Sequence, residues 1–462
     1  TVPELIEGMR AGYGNFYEFF AWPPDDGLDF VPKGERWWAG QNGYPENRTS
    51  LQRIIAELHK HGIKAVMYAA WWSCGTGIET FRKHPDWFLY DASTGRGGGC
   101  EIEAYKKAKA LVAAGKEGES AQRSGGGAAP NWADPRVVNA GLDSMRQSIK
   151  LFGWDGVRWD GEYQMTFFWD MMDFQGRKVK DVNKNLDDTN TRILQQIIER
   201  FKREEPQFVW GYNSDVNPRL WGNNPPKATA YKLQQGGSLM WESPREANNA
   251  SNPNHTFMEY SKNTCEMADY CRSRGGSFMQ FPAGAGWVGT VHDRIYKTII
   301  PVVGGSTLYG GTANLGGTFG EYNKFVARYC ALWWGDNVRS LAQPARLLRV
   351  EGSGPIWWQD YVDSRPAGNG QRDLIIHLVN EPVNNIIGPE TIGKMPTPQQ
   401  HVRIALDRAV GGRVEKAWFL TPEPTITNRE LPVDHAAGGD TITVPSLQCW
   451  SVVVLRVKGG TW

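Results

Sequence analysis

Along the first two thirds of the chain, short β-branched or aromatic runs alternate with stretches whose apolar positions recur every three or four residues. In residues 48–61, Leu51, Ile54, Ile55 and Leu58 share one face of a helix, and the run that follows, 63–72 (IKAVMYAAWW), reads as a strand. The same alternation predicts a short helix over 3–12 and one over 189–204. It predicts further strands at 15–22, 156–160, 208–213, 238–242, 277–282 and 307–309. Alternating strand and helix specify a parallel sheet covered by helices. These seven strands fall one short of a closed TIM-type (β/α)8 barrel. Because the chain opens on a helix, the expectation is that the first barrel strand lies upstream, comes from a partner fragment, or is a segment the pattern hides. A seven-stranded or irregular barrel is the alternative.

Between the second and third of these strands lies a long insertion, roughly residues 73–134, with Gly-rich stretches at 95–99 and 125–127 and a Lys/Ala-rich helix near 103–115. A loop of this length is usually functional or disordered. It reads as a partial cover over the mouth of the barrel or as a plain surface insertion. After about residue 343 the helical pattern stops. Residues 346–350, 356–361, 373–379, 401–406, 414–420 and 450–457 read as strands joined by Pro/Gly-rich links. The expected organisation is therefore a barrel over 1–342 and an antiparallel β-sandwich over 343–462.

Composition narrows the function. Lys and Arg number 51 against 50 Asp and Glu, a formal net charge of +1, so nothing marks a partner as nucleic acid or an anionic membrane. No apolar run approaches the roughly 20 residues that span a bilayer. The 6 cysteines are scattered without a C-x-x-C pair, which argues against a structural zinc site and fits buried free thiols. Cys74 and Cys100 could instead bridge the ends of the insertion. Tryptophan is the outlier, with 21 residues, several in pairs such as Trp37-Trp38, Trp71-Trp72 and Trp357-Trp358. Indole faces stack on the C–H faces of sugar rings, and they also fill cores. The enrichment as a whole favours sugar binding.

The chemistry concentrates in Gly156-Val157-Arg158-Trp159-Asp160-Gly161-Glu162, where a strand ends in Arg-x-Asp. In an α/β barrel, active sites are built at that end of the strands. Side chains alternate along a strand, so Arg158 and Asp160 share a face. A guanidinium beside a carboxylate keeps it ionised and oriented. Such a carboxylate can attack an anomeric carbon. A structural salt bridge at the barrel rim would use the same residues, and Glu162 could replace Asp160. Glycoside cleavage needs a second carboxyl group to protonate the departing oxygen. Glu242, beside Trp241 at the end of 238–242, is the first choice, and Asp215 the second. A rim salt bridge or a helix cap would also explain Glu242. Glu18, Tyr68, Trp72, Trp159, Tyr212, Asn213, Asp215, Trp241, Gln280 and Tyr309 are the candidates for lining a sugar pocket, and each also fits barrel filling. His292-Asp293 could bond hydroxyls, although a helix N-terminus explains Asp293 equally. There is no G-x-S-x-G, no G-x-x-x-x-G-K-[ST] and no H-E-x-x-H.

At these residues the chain resembles the retaining α-glycosidase barrels. Gly156-Val157-Arg158-Trp159-Asp160 is similar to the fourth-strand signature of the α-amylase superfamily. The resemblance implies that Asp160 is the nucleophile and Arg158 its partner. Gly62-Ile63-Lys64-Ala65-Val66 and His84-Pro85-Asp86-Trp87 are similar to the region after the third strand in clan D α-galactosidase-type barrels. The order Asp160, Tyr212-Asn213, Glu242 is nearest to glycoside hydrolase family 66, the dextranases and cycloisomaltooligosaccharide glucanotransferases. There a β-sandwich follows the barrel, and residues 374–380 (LIIHLVN) look like its opening strands. Two departures stand out: an α-amylase would carry its acid Glu where Asn213 and Asp215 stand and a His-Asp pair where Phe281-Pro282-Ala283 stands, and a family 66 protein would carry an N-terminal β-domain and a first barrel strand, neither of which is visible in the sequence.

The sequence thus predicts a glycoside hydrolase or transglycosylase acting by double displacement on an α-linked glucan or galactoside, with α-1,6-glucan ahead on the family likeness. Its expected partner is an oligo- or polysaccharide. No metal or organic cofactor is required, although a structural calcium remains compatible. A secreted or periplasmic location is favoured over a cytoplasmic one. The rival classes are a non-catalytic glycan-binding barrel and a metal-assisted barrel enzyme.

Overall fold

The computed structural model describes residues 2–11, 14–20, 22–23, 28–38, 45–70, 74–75, 79–90, 109–110, 113–115, 127–160, 165, 168–213, 226–241, 256–280, 291–308, 318–383 and 395–460. The expected strands are present as β1 (Phe16–Phe19), β2 (Lys64–Ala70), β3 (Gly156–Asp160), β4 (Val209–Asn213), β5 (Ser238–Trp241), β6 (Ser277–Gln280) and β7 (Thr307–Leu308). They form one 7-stranded sheet in that order, with every neighbouring pair parallel. Around it lie α1 (Val2–Ala11), α2 (Arg48–Lys60), α3 (Pro135–Phe152), α4 (Leu186–Glu204), α5 (Lys227–Gln234), α6 (Phe257–Ser273), α7 (Val291–Val303) and α8 (Thr318–Arg328). The sheet curls as a partial TIM-type barrel. Among the described residues no pairing joins β7 back to β1.

Local chemistry delivers β3 to its place. Asp134 caps α3 by accepting from Arg136 N, Pro135 pre-sets the first turn, and Gly153 closes the helix at φ 83°, a conformation costly for other residues. Three residues later the sheet begins. Asp155 fixes its register: its carboxylate accepts from Ala65 N at 2.9 Å and Lys64 Nζ at 2.9 Å, and lies 2.7 Å from His59 Nε2. Burial alone would raise this carboxyl, but those contacts outweigh it and hold it below its ordinary value. The lock sets Arg158 opposite Tyr68 and Asp160 opposite Ala70. At Gly156 an added Cβ would meet Val209 O at 2.8 Å, so the residue permits close approach of β4.

From Arg339 the strands are antiparallel. They are β8 (Arg339–Ser340), β9 (Leu348–Glu351), β10 (Ile356–Trp357), β11 (Val362–Gly368), β12 (Gln371–Asn380), β13 (Gln399–Asp407), β14 (Arg413–Thr421), β15 (Thr427–Leu431), β16 (Asp434–His435), β17 (Gly439–Leu447) and β18 (Trp450–Lys458). One sheet runs β8-β11-β12-β18-β14-β15, with β10 beside β12, and the other β9-β13-β17-β16. The run expected at 356–361 breaks after Trp357. Strands β8, β11, β15, β16 and β17 fall outside the expected runs and lack a continuous apolar stretch: β8 is RS, β16 is DH, β15 is TNREL, mostly exposed, and β11 carries Pro366.

The middles of strands β12 and β18 are largely apolar because both of their faces are buried. Leu374, Ile376, Leu378, Val453, Leu455 and Val457 fill the space between the two sandwich sheets. Ile375, Val379, Trp450, Val452 and Val454 belong to the same core as the barrel. At that junction Trp450 packs edge-on to Phe325 at 5.0 Å and lies 5.8 Å from Trp333. Tyr296 Oη donates to Asn380 O at 2.6 Å.

Many of the tryptophans are used in packing. Trp22, Trp132, Trp154, Trp210, Trp333 and Trp450 are all buried core rings, so among the described residues the enrichment serves packing more than a sugar platform. Of the cysteines, Cys271 and Cys449 are buried free thiols and Cys330 is exposed. Most of the insertion, Cys100 included, lies outside the described residues. Its described ends show strand Gly127–Pro130 pairing with both Cys74–Gly75 and Phe88–Leu89.

His377 sits in the junction, fully buried, stacked on Trp450 and accepting from Trp450 Nε1 at 3.2 Å. Burial pushes its imidazole down to about 3. Its folded-state value is depressed, so its contribution is intact above the unfolded value and is lost as pH falls below about 6.5. Differential scanning calorimetry from pH 7 to 4 is expected to show a steeper fall of melting temperature for the wild type than for His377→Phe. Equal slopes would contradict a buried neutral imidazole.

Candidate active site

Strand alternation sorts the side chains of the sheet into two sets. Registers pair Glu18 with Val66, Tyr68 with Arg158, and Asp160 with Asn213. Glu18, Tyr68, Arg158, Asp160 and Asn213 therefore share the inner face. Trp159 and Tyr212, opposite each other, share the outer face that meets the helices.

On the inner face the Asp160 carboxylate, one-quarter exposed at the C-terminal end of β3, is held from three sides. Tyr68 Oη donates to Oδ2 at 2.8 Å and Asn213 Nδ2 to Oδ1 at 2.8 Å. Arg158 Nη1 stands 3.1 Å from Oδ1. Behind it, Glu18 Oε1 lies 3.9 Å from Arg158 Nε, with the side chains of both at most 8% exposed. The guanidinium carbon is 5.3 Å from the centre of the Tyr68 ring. Tyr68 is anchored in turn, because Trp22 Nε1 donates to its carbonyl at 3.2 Å. Two neutral donors and a cation aimed at one carboxylate fix its orientation. A held, ionised carboxylate at the open end of a parallel barrel can act as a nucleophile or stabilise developing positive charge.

The structure brings Glu18, Tyr68, Arg158, Asp160 and Asn213 together. It places Trp159, Tyr212 and Gln280 elsewhere, which corrects their reading as pocket residues. Trp159 is fully buried and stacked 6.4 Å from Trp210. Tyr212 is also stacked 6.4 Å from Trp210 and carries Lys232 Nζ 4.8 Å from its ring centre. Gln280 is held against α6, donating to Thr264 Oγ1 at 2.7 Å and accepting from Tyr260. All three follow from parity: each stands an odd number of places from the inner-face residue of its own strand or of its register partner. Trp72, Glu162, Asp215, Glu242 and Tyr309 lie outside the described residues, as do the side chains of Trp241, His292 and Asp293. Among the described residues no group of three or more His, Cys, Asp and Glu side chains is placed to hold a metal ion, and no helix is long and apolar enough to cross a membrane.

One residue escaped the sequence reading. Phe20, just past the end of β1, is 55% exposed, and its ring packs edge-on to Tyr68 at 4.6 Å. It stands at the same end of the sheet as Asp160. Its only signal in the sequence is an aromatic residue one place beyond a strand end. A groove of about 1620 Å³ between α1 and α2, lined by Leu5, Ile6, Arg10, Ile54, Glu57 and His61, shares no residue with this cluster.

No protein-family model matches the chain, and no curated protein matches it in sequence. Solved structures do. A cycloisomaltooligosaccharide glucanotransferase from Paenibacillus sp., complexed with cycloisomaltoheptaose, superposes with a TM-score of 0.69 at 10% identity, over 98% of this chain and 82% of that one. A maltogenic α-amylase from Thermotoga neapolitana gives 0.53 at 10% identity, over 99% and 94%. An α-galactosidase from Lactobacillus brevis gives 0.52 at 11% identity, over 100% of this chain and 53% of that one. These likenesses establish the fold: a TIM-type barrel followed by antiparallel sheets, similar to that of α-glycoside hydrolases and transglycosylases.

The cluster makes a stability prediction independent of any activity. Arg158→Met leaves Glu18 and Asp160 facing one another without their shared cation. Urea unfolding at pH 7 is expected to show a loss of about 3 kcal/mol. The loss should shrink at pH 4, where carboxyl groups take up protons. An unchanged unfolding free energy would mean that the guanidinium does not hold the cluster.

Proposed function

We propose that the protein is a retaining glycoside hydrolase or transglycosylase acting on α-linked oligo- or polysaccharide, with Asp160 as nucleophile. The observation that carries this reading is the Asp160 carboxylate held at the open end of β3 by Tyr68, Asn213 and Arg158. The fold likeness to α-glycoside hydrolases and transglycosylases supports it, and our reading ranks α-1,6-glucan first among substrates, in keeping with a neighbour solved with cycloisomaltoheptaose.

The two Asp160 oxygens differ in their surroundings. Oδ1 accepts from Asn213 and faces the guanidinium, whereas Oδ2, among the described residues, accepts from the Tyr68 hydroxyl alone. A carboxylate oxygen offers about two lone pairs, which leaves Oδ2 one for the anomeric carbon. In the first step an Oδ2–C1 bond forms, the bond from C1 to the departing oxygen breaks, and a carboxylic acid gives that oxygen its proton. Oδ1 then becomes the ester carbonyl, still held by Asn213 and Arg158. In the second step the acid, now a carboxylate, takes a proton from water or an acceptor hydroxyl, whose oxygen displaces Oδ2 from C1. Glu242 is assigned the acid/base role. It follows Trp241 and stands two residues after Met240, the register partner of Asn213, which is the spacing shared by residues of the inner face.

Proton NMR of the first products formed from isomaltooligosaccharides, other α-glucans, α-galactosides and β-glucans is the test. The wild type is expected to release the α-anomer from an α-linked substrate. Asp160→Asn should lower turnover by about 10³-fold or more, and Tyr68→Phe should lower kcat/KM by about 10-fold. Initial β-anomer would overturn retention, and binding of a glycan without turnover by the wild type would make the barrel a binding module.

A further inference from the structure

The active-site cluster contains one more carboxylate than a nucleophile and its cation require. Glu18 comes from β1, two strands away from Asp160, yet its side chain is buried against the far side of the same guanidinium. Burying a carboxylate is costly unless a counter-charge accompanies it. Arg158 therefore lies between two anions, with Nε 3.9 Å from Glu18 and Nη1 3.1 Å from Asp160. Other titratable groups facing this set among the described residues are Tyr68, between β1 and β3, and, on the other face of β1, Tyr17. The Tyr17 hydroxyl is pushed up by burial, with Glu46 and Glu18 adding to it.

Resting on the assignment of Asp160 as nucleophile, we propose that Glu18 is a positioning residue that keeps Arg158 neutralised through the covalent half of the reaction. When Asp160 Oδ2 bonds to C1, the carboxylate becomes a neutral ester and its negative charge is gone. A guanidinium paired only with Asp160 would then be a buried, uncompensated cation beside a sugar that has carried positive charge in the transition state. Such a cation is penalised by burial and repels that developing charge. Glu18 remains ionised during this step and accompanies Arg158 from the free enzyme to the glycosyl-enzyme and back. It also divides the attraction of the guanidinium between two carboxylates, so that Asp160 is oriented without being over-stabilised as an anion. Glu18 makes no bond to the substrate in this scheme. It acts through Arg158.

The discriminating experiment compares wild type, Glu18→Gln and Glu18→Asp on the α-glycoside that the wild type turns over. In Glu18→Gln, kcat/KM, which reports formation of the glycosyl-enzyme, is expected to fall by 10- to 100-fold. The acid limb of its pH profile should move to lower pH, because Asp160 would have the cation to itself. Glu18→Asp retains the charge and should return the acid limb to its wild-type position. A parallel titration of the Asp160 carboxyl by ¹³C NMR should show the same displacement in Glu18→Gln and needs no turnover. If Glu18→Gln lowers the melting temperature but leaves both the acid limb and the carboxyl titration in place, Glu18 is structural and the inference is wrong. If Asp160→Asn retains wild-type turnover, the nucleophile assignment fails first, and the carboxyl titration still decides whether Glu18 and Asp160 share Arg158.

Discussion

A guanidinium removed from water has to be neutralised where it stands, and in this protein that requirement organises the open end of the barrel. Arg158 is almost entirely buried. Its charge is met by Asp160 on its own strand and by Glu18 from β1, while the Tyr68 ring from β2 fills the space beside it. Three neighbouring strands thus converge on one cation, and Asn213 from β4 adds a hydrogen bond to the same carboxylate. The convergence needs each strand to be in register, because a slip of one residue would turn all of these side chains toward the helices. The Asp155 lock at the other end of β3, where one carboxylate meets Ala65 N, Lys64 and His59, is the physical guarantee of that register.

Much of this was legible in the sequence because the signals were local. Apolar runs separated by amphipathic helices gave all seven parallel strands of the sheet, and Arg-x-Asp at a strand end gave the centre of the site. The partners of Asp160 were harder. Tyr68 and Asn213 were named as pocket candidates on position alone, and the reading treated them no differently from Tyr212 and Gln280, which the structure assigns to the helix side. What separated them was register between strands 90 or more residues apart in some pairs, and single-strand patterns do not carry that information. Phe20 was missed for the opposite reason. An exposed aromatic past a strand end has no periodic signal, and it is visible only once Tyr68 is known to lie beneath it.

The antiparallel sheets show the same limit from another side. Strands β12 and β18 announced themselves as apolar runs because they separate two cores, one shared with the barrel and one internal to the sandwich. Edge strand β15 and the alternating β17 bury less, and their polar residues concealed them. The junction also absorbs part of the tryptophan enrichment that had pointed toward sugar. Trp333 and Trp450 pack around a histidine that is kept neutral by burial. Aromatic excess in a sequence is therefore a statement about large buried surfaces before it is one about ligands.

Parity is the argument that connects fold to chemistry here. In a parallel barrel only every second residue of a strand faces inward, so the candidates within any one strand are not independent. Accepting Asp160 as the working carboxylate commits Arg158 to the same side and sends Trp159 to the other. Asn213 then has to face the site and Tyr212 has to leave it, as the stack of Trp159, Trp210 and Tyr212 requires. Through Met240, the register partner of Asn213, the same counting reaches β5 and favours an even spacing for a partner carboxylate on that strand. Glu18 enters on equal terms, since its pairing with Val66 fixes its face before any charge is considered. The electrostatics then explains why a second buried carboxylate is tolerated there: the guanidinium that holds Asp160 lies within reach of both anions.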